Sequence, residues 1–195
     1  MRLSDAVNDT PPPVLEGRNS DGCTLCCKLP AVVGMDKPPM VWCKQADPGK
    51  GCRIYDERPN DCRWFYCRYL LHAEIGEHWK PLTSRMVLDY ERTSNGERLA
   101  ILVDAGRADL WRKEPYFSDI KRWAEVGARN GTPVIVLQGL DAVVVFPDGE
   151  KKLGRVKPGQ KIFTSVKQGP LGPEFGAELV DAGDPRLHRL AQPPR

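Results

Sequence analysis

The 195-residue chain has very little histidine, only His72, His78 and His188, and no cysteine outside residues 23–67. The chain therefore departs from ordinary zinc fingers built on a Cys pair and a His pair, and it has no His-Glu-x-x-His helix, which needs two histidines four residues apart. No Gly-x-Ser-x-Gly elbow and no Walker-type phosphate loop occurs. Gly169, Gly172 and Gly176 are spaced like a nucleotide loop, but Pro170 and Pro173 interrupt them and no strand-to-helix setting surrounds them. Long apolar runs are missing too. Segments such as Ala142–Phe146 are strand-sized, far short of the roughly 18 residues of a membrane span. Residues Met1–Asp9 contain no apolar run that would serve as a signal peptide, so a cytoplasmic protein is expected. Neither sign of charge dominates: 29 basic against 26 acidic residues leave a net charge of +3, too slight to imply nucleic acid. With 41% hydrophobic and 28% charged residues, the chain has the composition of an ordinary globular protein.

What is present is concentrated. Cys23, Cys26, Cys27, Cys43, Cys52, Cys62 and Cys67 fall within 45 consecutive positions. In a reducing compartment such a cluster points to metal or catalysis rather than to disulfides, and an odd count pairs poorly. Cys23-Thr24-Leu25-Cys26 is a knuckle whose two thiolates can grip one metal. Cys27 follows directly and is expected to project elsewhere, so Cys26 and Cys27 should not share one zinc. The later intervals of 15, 8, 9 and 4 residues contain no second Cys-x-x-Cys, unlike a zinc ribbon. Three centres remain compatible: one four-coordinate zinc with spare thiols, an iron–sulfur cluster on four cysteines ([4Fe–4S] in preference to [2Fe–2S]), or a two-metal thiolate centre with shared ligands. Cys23, Cys26, Cys43, Cys52 and Cys62 are the main candidate ligands, with Cys27 and Cys67 as alternates. Trp64, Phe65 and Tyr66 could shelter sulfur from water or simply pack. His72 and His78, near Glu74 and Glu77, have the spacing of no familiar ligand pair.

The chain divides by composition. Residues 1–20, with Pro11-Pro12-Pro13, read as an extended N-terminal arm. Residues 21–80 form a looped, cysteine-rich metal-binding unit with short helices, broken by Pro30, Pro38-Pro39 and Asp47-Pro48-Gly49. A helix is expected from about Pro59 to Ala73, with Pro59 at its first position and Asp61 complementing the dipole. On that helix Cys62 and Cys67 would point about 140° apart and could not share one ion. Residues 81–168 read as a small, mainly antiparallel sheet with one helix, either separate or sharing one core with 21–80. Met86–Arg92 and Arg98–Val103 flank the turn signal Ser94-Asn95-Gly96; a helix spans Tyr116–Ala128; Pro133–Leu137 and Ala142–Phe146 make another hairpin, with a weaker strand near Lys152–Val156. Residues 169–195 form a Pro/Gly-rich tail whose last residues are expected to be mobile or draped. The fold class is thus α+β.

The stretch Gly51-Cys52-Arg53-Ile54-Tyr55-Asp56-Glu57-Arg58-Pro59-Asn60-Asp61-Cys62, preceded by Cys23-x-x-Cys26-Cys27 and Cys43, resembles the YkgJ-type cysteine-cluster family of zinc- or iron-chelating proteins. The resemblance covers residues 21–67. The family's longer signature, Cys-x-x-Cys-x-x-Cys-Cys, would place a cysteine where Ser20 stands, and Cys67 is a candidate replacement. The resemblance implies a metal or cluster held by the cysteines, with Tyr55, Arg58 and Pro59 packing around it. Relatives include the flagellin lysine methylases, which makes an iron–sulfur redox or protein-modifying enzyme the alternative expectation. No residue here matches a catalytic one, and no S-adenosylmethionine loop is visible. A third expectation is a partner- or nucleic-acid-binding module on the basic stretch Lys151, Lys152, Arg155, Lys157, Lys161 and Lys167, although a solvated face is the plainer reading. The partners expected are thus a metal ion or cluster and, at most, another protein, not a nucleic acid or a membrane.

Overall fold

A computed structural model describes residues 12–93, 96–129, 132–170 and 172–187. The chain folds as two units, Met1–Leu88 and Asp89–Arg195.

The first unit has little regular structure, as its prolines and glycines dictate. A two-residue ladder joins β1 (Ala46–Asp47) to β2 (Gly51–Cys52) in antiparallel register, Ala46 opposite Cys52. Three single-turn helices follow: α1 (Asn60–Arg63), α2 (Arg68–Leu71) and α3 (Pro81–Ser84). Short 3₁₀ turns occupy Leu25–Cys27, Val33–Met35 and Glu77–Trp79. The continuous helix expected over Pro59–Ala73 is therefore broken. Trp64 caps α1 with ψ near 0°, and Cys67 is extended at φ −62°, ψ 145° before α2 begins. Trp64, Phe65 and Tyr66 are poor helix formers in succession, because each aromatic ring loses side-chain freedom against the preceding turn. Pro59 stands at the cap, one position before the first helical residue.

Residues from Pro12 drape on the first unit. The Leu15 N–H donates to the Leu70 carbonyl at 3.0 Å. The Arg18 side chain, 11% exposed, donates to the carbonyls of Tyr69, His72 (2.7 Å) and Ile75 (2.6 Å) and lies 4.5 Å over the Tyr69 ring. Carbonyls at the end of a helix lack intrahelical donors, and one guanidinium fork satisfies several here. Buried apolar residues of this unit include Leu25, Leu29, Val32, Ala46, Tyr69, Ile75 and Trp79, with Met86, Val87 and Leu88 at its end.

The second unit follows the expected order more closely. Strand β3 (Met86–Thr93) opens a five-stranded sheet ordered β3-β4-β5-β6-β7, with β4 at Gly96–Val103, β5 at Val134–Gln138, β6 at Asp141–Phe146 and β7 at Gly149–Arg155. The turn residues Ser94 and Asn95 lie outside the described residues, as do Asn130 and Gly131. Helix α4 (Tyr116–Arg129) links β4 to β5 as a crossover, so those two strands run parallel, while β5, β6 and β7 are successively antiparallel. Leu153 is an extra residue in β7, since Ala142 pairs with Gly154 and Val143 with Lys152; Gly154 takes the left-handed φ of 71° that the bulge requires. Val134, Ile135, Val136, Val143, Val144 and Val145 are all buried, so both faces of the sheet are covered.

The tail contains a strand that the sequence reading did not place, while its last residues, from 188, lie outside the described residues. Gln160–Gly169 and Gly172–Asp181 form β8 and β9, a ten-pair antiparallel ribbon. Phe175, Ala177 and Leu179 alternate along β9, and they pack with Ile162 on Ile135, Ala142, Val144 and Phe146. Phe175 stacks on Phe146 with centroids 5.3 Å apart. That burial outweighs the proline and glycine content, and Pro173 sits in a two-stranded ribbon where a missing N–H is tolerated. The architecture is mixed α and β with few, short helices, and among the described residues no helix is long and apolar enough to cross a membrane.

Arg18→Ala should lower the stability of the chain by about 2 kcal/mol, the scale of hydrogen bonds from a charged donor. Denaturant midpoints of the metal-free, reduced protein measure this, and Arg18→Lys should restore only part of the loss because an ammonium cannot fork.

Candidate metal centre

The first unit contains an open-mouthed cavity of about 470 Å³, and all seven cysteines line it. Each is half-buried and unbridged. The convergence is built from local turns. In the 3₁₀ turn after Thr24, the Cys27 N–H donates to the Thr24 carbonyl at 2.9 Å. The Cys43 N–H donates to the Cys27 carbonyl at 2.9 Å, and the Ala46 N–H to the Cys43 carbonyl at 3.1 Å, which brings in the ribbon carrying Cys52. The Gly49 N–H donates to Thr24 Oγ1 at 3.1 Å, tying the knuckle to the tip of that ribbon. Gly22 makes the approach possible: its φ is 68°, and a Cβ there would stand 2.9 Å from the Gly49 carbonyl oxygen. Asp61, beside Cys62, accepts from the Gly34 N–H at 2.8 Å.

Two expectations change at this site. The break between α1 and α2 lets Cys62 and Cys67 line the same cavity, where a continuous helix would have turned them apart. Cys26 and Cys27, expected to diverge, share a hydrogen bond between their side chains. That bond sets their protonation: Cys26 keeps its proton, and Cys27 is lowered to about 7, chiefly by accepting it and further by the charges of Lys37 and Arg58. Burial raises Cys23, and it pushes Cys62 and Cys67 up to about 11, with neighbouring thiolates adding to the effect.

Cations surround the thiols. Lys37 is 7% exposed, and its ammonium donates to the carbonyls of Lys28 (3.0 Å), Pro30 (2.5 Å) and Pro38 (3.1 Å). Burial lowers its pKa while the charges of Cys43, Cys27, Cys62 and Cys26 hold it up. Arg58 lines the cavity, lies 3.8 Å over the Tyr55 ring, and has a buried Nε with no hydrogen-bond partner. Phe65 and Tyr66 are in the cavity wall; Trp64 is not. Sequence reasoning missed Lys37 entirely, because one lysine among many carries no local sign that it will be buried. It also missed Lys80, which lines the cavity and pairs with Asp21 at 3.6 Å.

The histidines stand aside. Neither His72, 3.1 Å from Glu74, nor His78, against the Trp79 ring, lines the cavity, and His188 lies outside the described residues. Among the described residues no three His, Cys, Asp or Glu side chains are gathered closely enough to hold an ion as they stand. Seven thiols nonetheless line one cavity, with Asp61 also in its wall, and a donor set so rich in sulfur suits zinc or an iron–sulfur cluster better than a hard cation. No protein-family model, curated protein or solved structure matches the chain.

Gly22→Ala should separate the knuckle from the ribbon without touching a thiol. The expected cost is about 1 to 3 kcal/mol from the forced backbone and the close contact, measured by chemical denaturation of the metal-free protein.

Proposed function

We propose that this protein binds zinc or an iron–sulfur cluster through its cysteine cluster. The observation that carries the reading is the single cavity lined by Cys23, Cys26, Cys27, Cys43, Cys52, Cys62 and Cys67. Its donors are drawn from these thiols, and the likeness to the YkgJ-type proteins in the Cys52–Cys62 stretch supports the same chemistry. Zinc would cross-link a unit that has little apolar core of its own, adding binding free energy to folding; a cluster would add electron transfer. The chain's own groups serve either. Lys37 and Arg58 offset thiolate charge, and Phe65 and Tyr66 limit water at the sulfurs.

Thiols held protonated must release those protons on ligation, so affinity should fall as pH falls. The basic run from Lys151 to Lys167 is exposed, but Lys167 pairs across the ribbon with Glu174, and that mixed face does not favour a polyanion.

Metal and acid-labile sulfide content, with a visible spectrum, on protein purified without oxygen tests the reading. Iron and sulfide in equal amounts with a brown colour would establish a cluster; stoichiometric zinc without colour would establish a zinc centre; protein that stays metal-free after anaerobic loading with either would remove the proposal. Chelating bound metal should lower the unfolding midpoint, with a binding free energy on the order of 10 kcal/mol to lose if the ion is structural zinc.

A further inference from the structure

Arg18, Arg98, Arg112 and Arg186 each donate to protein oxygens: Arg18 to three carbonyls, Arg98 to Glu91 and the Ile162 carbonyl, Arg112 to both oxygens of Glu150, and Arg186 to Asp184 and Glu178. Arg58 differs. Among the described residues its guanidinium donates to no oxygen or sulfur, and its Nε is buried without a partner. A donor left unmade in this way costs free energy, and a native structure that keeps one calls for a reason. The side chain is nonetheless held in place. It lies 3.8 Å over the Tyr55 ring, the Arg63 Nε donates to the Arg58 carbonyl at 2.9 Å, and Pro59 restricts the backbone before it.

Arg58 also lines the cavity, where the other cations are answered. Lys50 pairs with Asp47 and Lys80 with Asp21, each at 3.6 Å, and Arg63 donates to the carbonyls of Asp56 and Arg58. Asp61, also in the wall, accepts from the Gly34 N–H rather than from Arg58. At about 470 Å³ the cavity has the size of a small-molecule site, since such sites run from roughly 300 to 1,000 Å³. An ion held on thiolates at about 2.3 Å fills little of that space. Val32, Met35, Ile54 and Phe65 give it apolar wall.

We propose that the cavity binds a small organic acid, with its carboxylate on the Arg58 guanidinium and its apolar body against Val32, Met35, Ile54 and Phe65. A guanidinium fork meets a carboxylate with two parallel hydrogen bonds. One unanswered positive charge suits a monoanion; a phosphate dianion would call on a second cation, and Lys50 and Lys80 already face carboxylates. The site lies among the thiols but does not depend on what they hold.

Equilibrium dialysis of the full chain, purified and reduced without oxygen, against radiolabelled hexanoate tests the proposal. One hexanoate should bind per chain, and affinity should rise roughly three- to fourfold per methylene from acetate to hexanoate, the scale of burying a CH₂ group. Arg58→Gln should weaken hexanoate about tenfold or more, the scale of hydrogen bonds to a charged partner. Arg58→Lys should recover only part, because an ammonium lacks the fork. No saturable binding, unchanged affinity in Arg58→Gln, no dependence on chain length, or tighter binding of inorganic phosphate than of hexanoate would each overturn the proposal. Where Arg58→Gln fails to fold, phenylglyoxal modification of the unsubstituted chain, read by peptide mass, decides: hexanoate should slow the reaction at Arg58, and an unchanged rate would overturn the site. Metal content of the same samples keeps the two readings apart, because hexanoate binding by a chain that takes up no metal would uphold this site and remove only the metal proposal.

Discussion

Seven thiols can face one cavity only if the chain around it keeps changing direction, and a chain that does so forfeits the ladder hydrogen bonds of helix and sheet. The first unit depends on replacing them. Arg18 satisfies three carbonyls at and beyond the end of α2, Lys37 satisfies three more near the knuckle, Thr24 takes the Gly49 N–H, and Asp61 takes the Gly34 N–H. These side-chain bonds span from one to 57 positions of sequence, and they do the work that a β-ladder does in the second unit.

Charge is balanced by the same groups. A buried ammonium is costly unless its protons are bonded and its charge is answered nearby. Lys37 meets both conditions, with carbonyls around the nitrogen and thiolates within electrostatic reach. The second unit uses a parallel device at Arg98, which is 4% exposed, paired with Glu91 at 2.8 Å and bonded to the Ile162 carbonyl at 3.0 Å. There it joins β4 to the β8–β9 ribbon. What distinguishes Lys37 from Arg98 is the set of thiols within its electrostatic reach.

Legibility followed the range of the interactions. Helix α4 and the β5–β6 hairpin were readable to within a residue or two because their apolar spacing is set by the geometry of the element itself. The helix over Pro59–Ala73 was misjudged because its start signals at Pro59 and Asp61 are strong, while the interruption at Trp64–Cys67 places Phe65 and Tyr66 in a cavity wall that no local pattern describes. Strand β9 was hidden for the opposite reason. Its Phe175, Ala177 and Leu179 alternate visibly, but Pro170, Pro173 and the surrounding glycines signal turns, and only packing on Phe146 decides between them.

By itself the sequence determined the chemistry available: seven thiols, confined to residues 23–67, in a segment too rich in proline and glycine to form long elements. It determined the order of the sheet elements as well, because periodicity is a local property. Tertiary structure decided which thiols meet. Cys62 and Cys67 come to one cavity through a helix break, and Cys26 and Cys27 through a tight turn. Both arrangements arise where burial and distant hydrogen bonds outweigh the local preference, and such energies are set by residues far away in the chain.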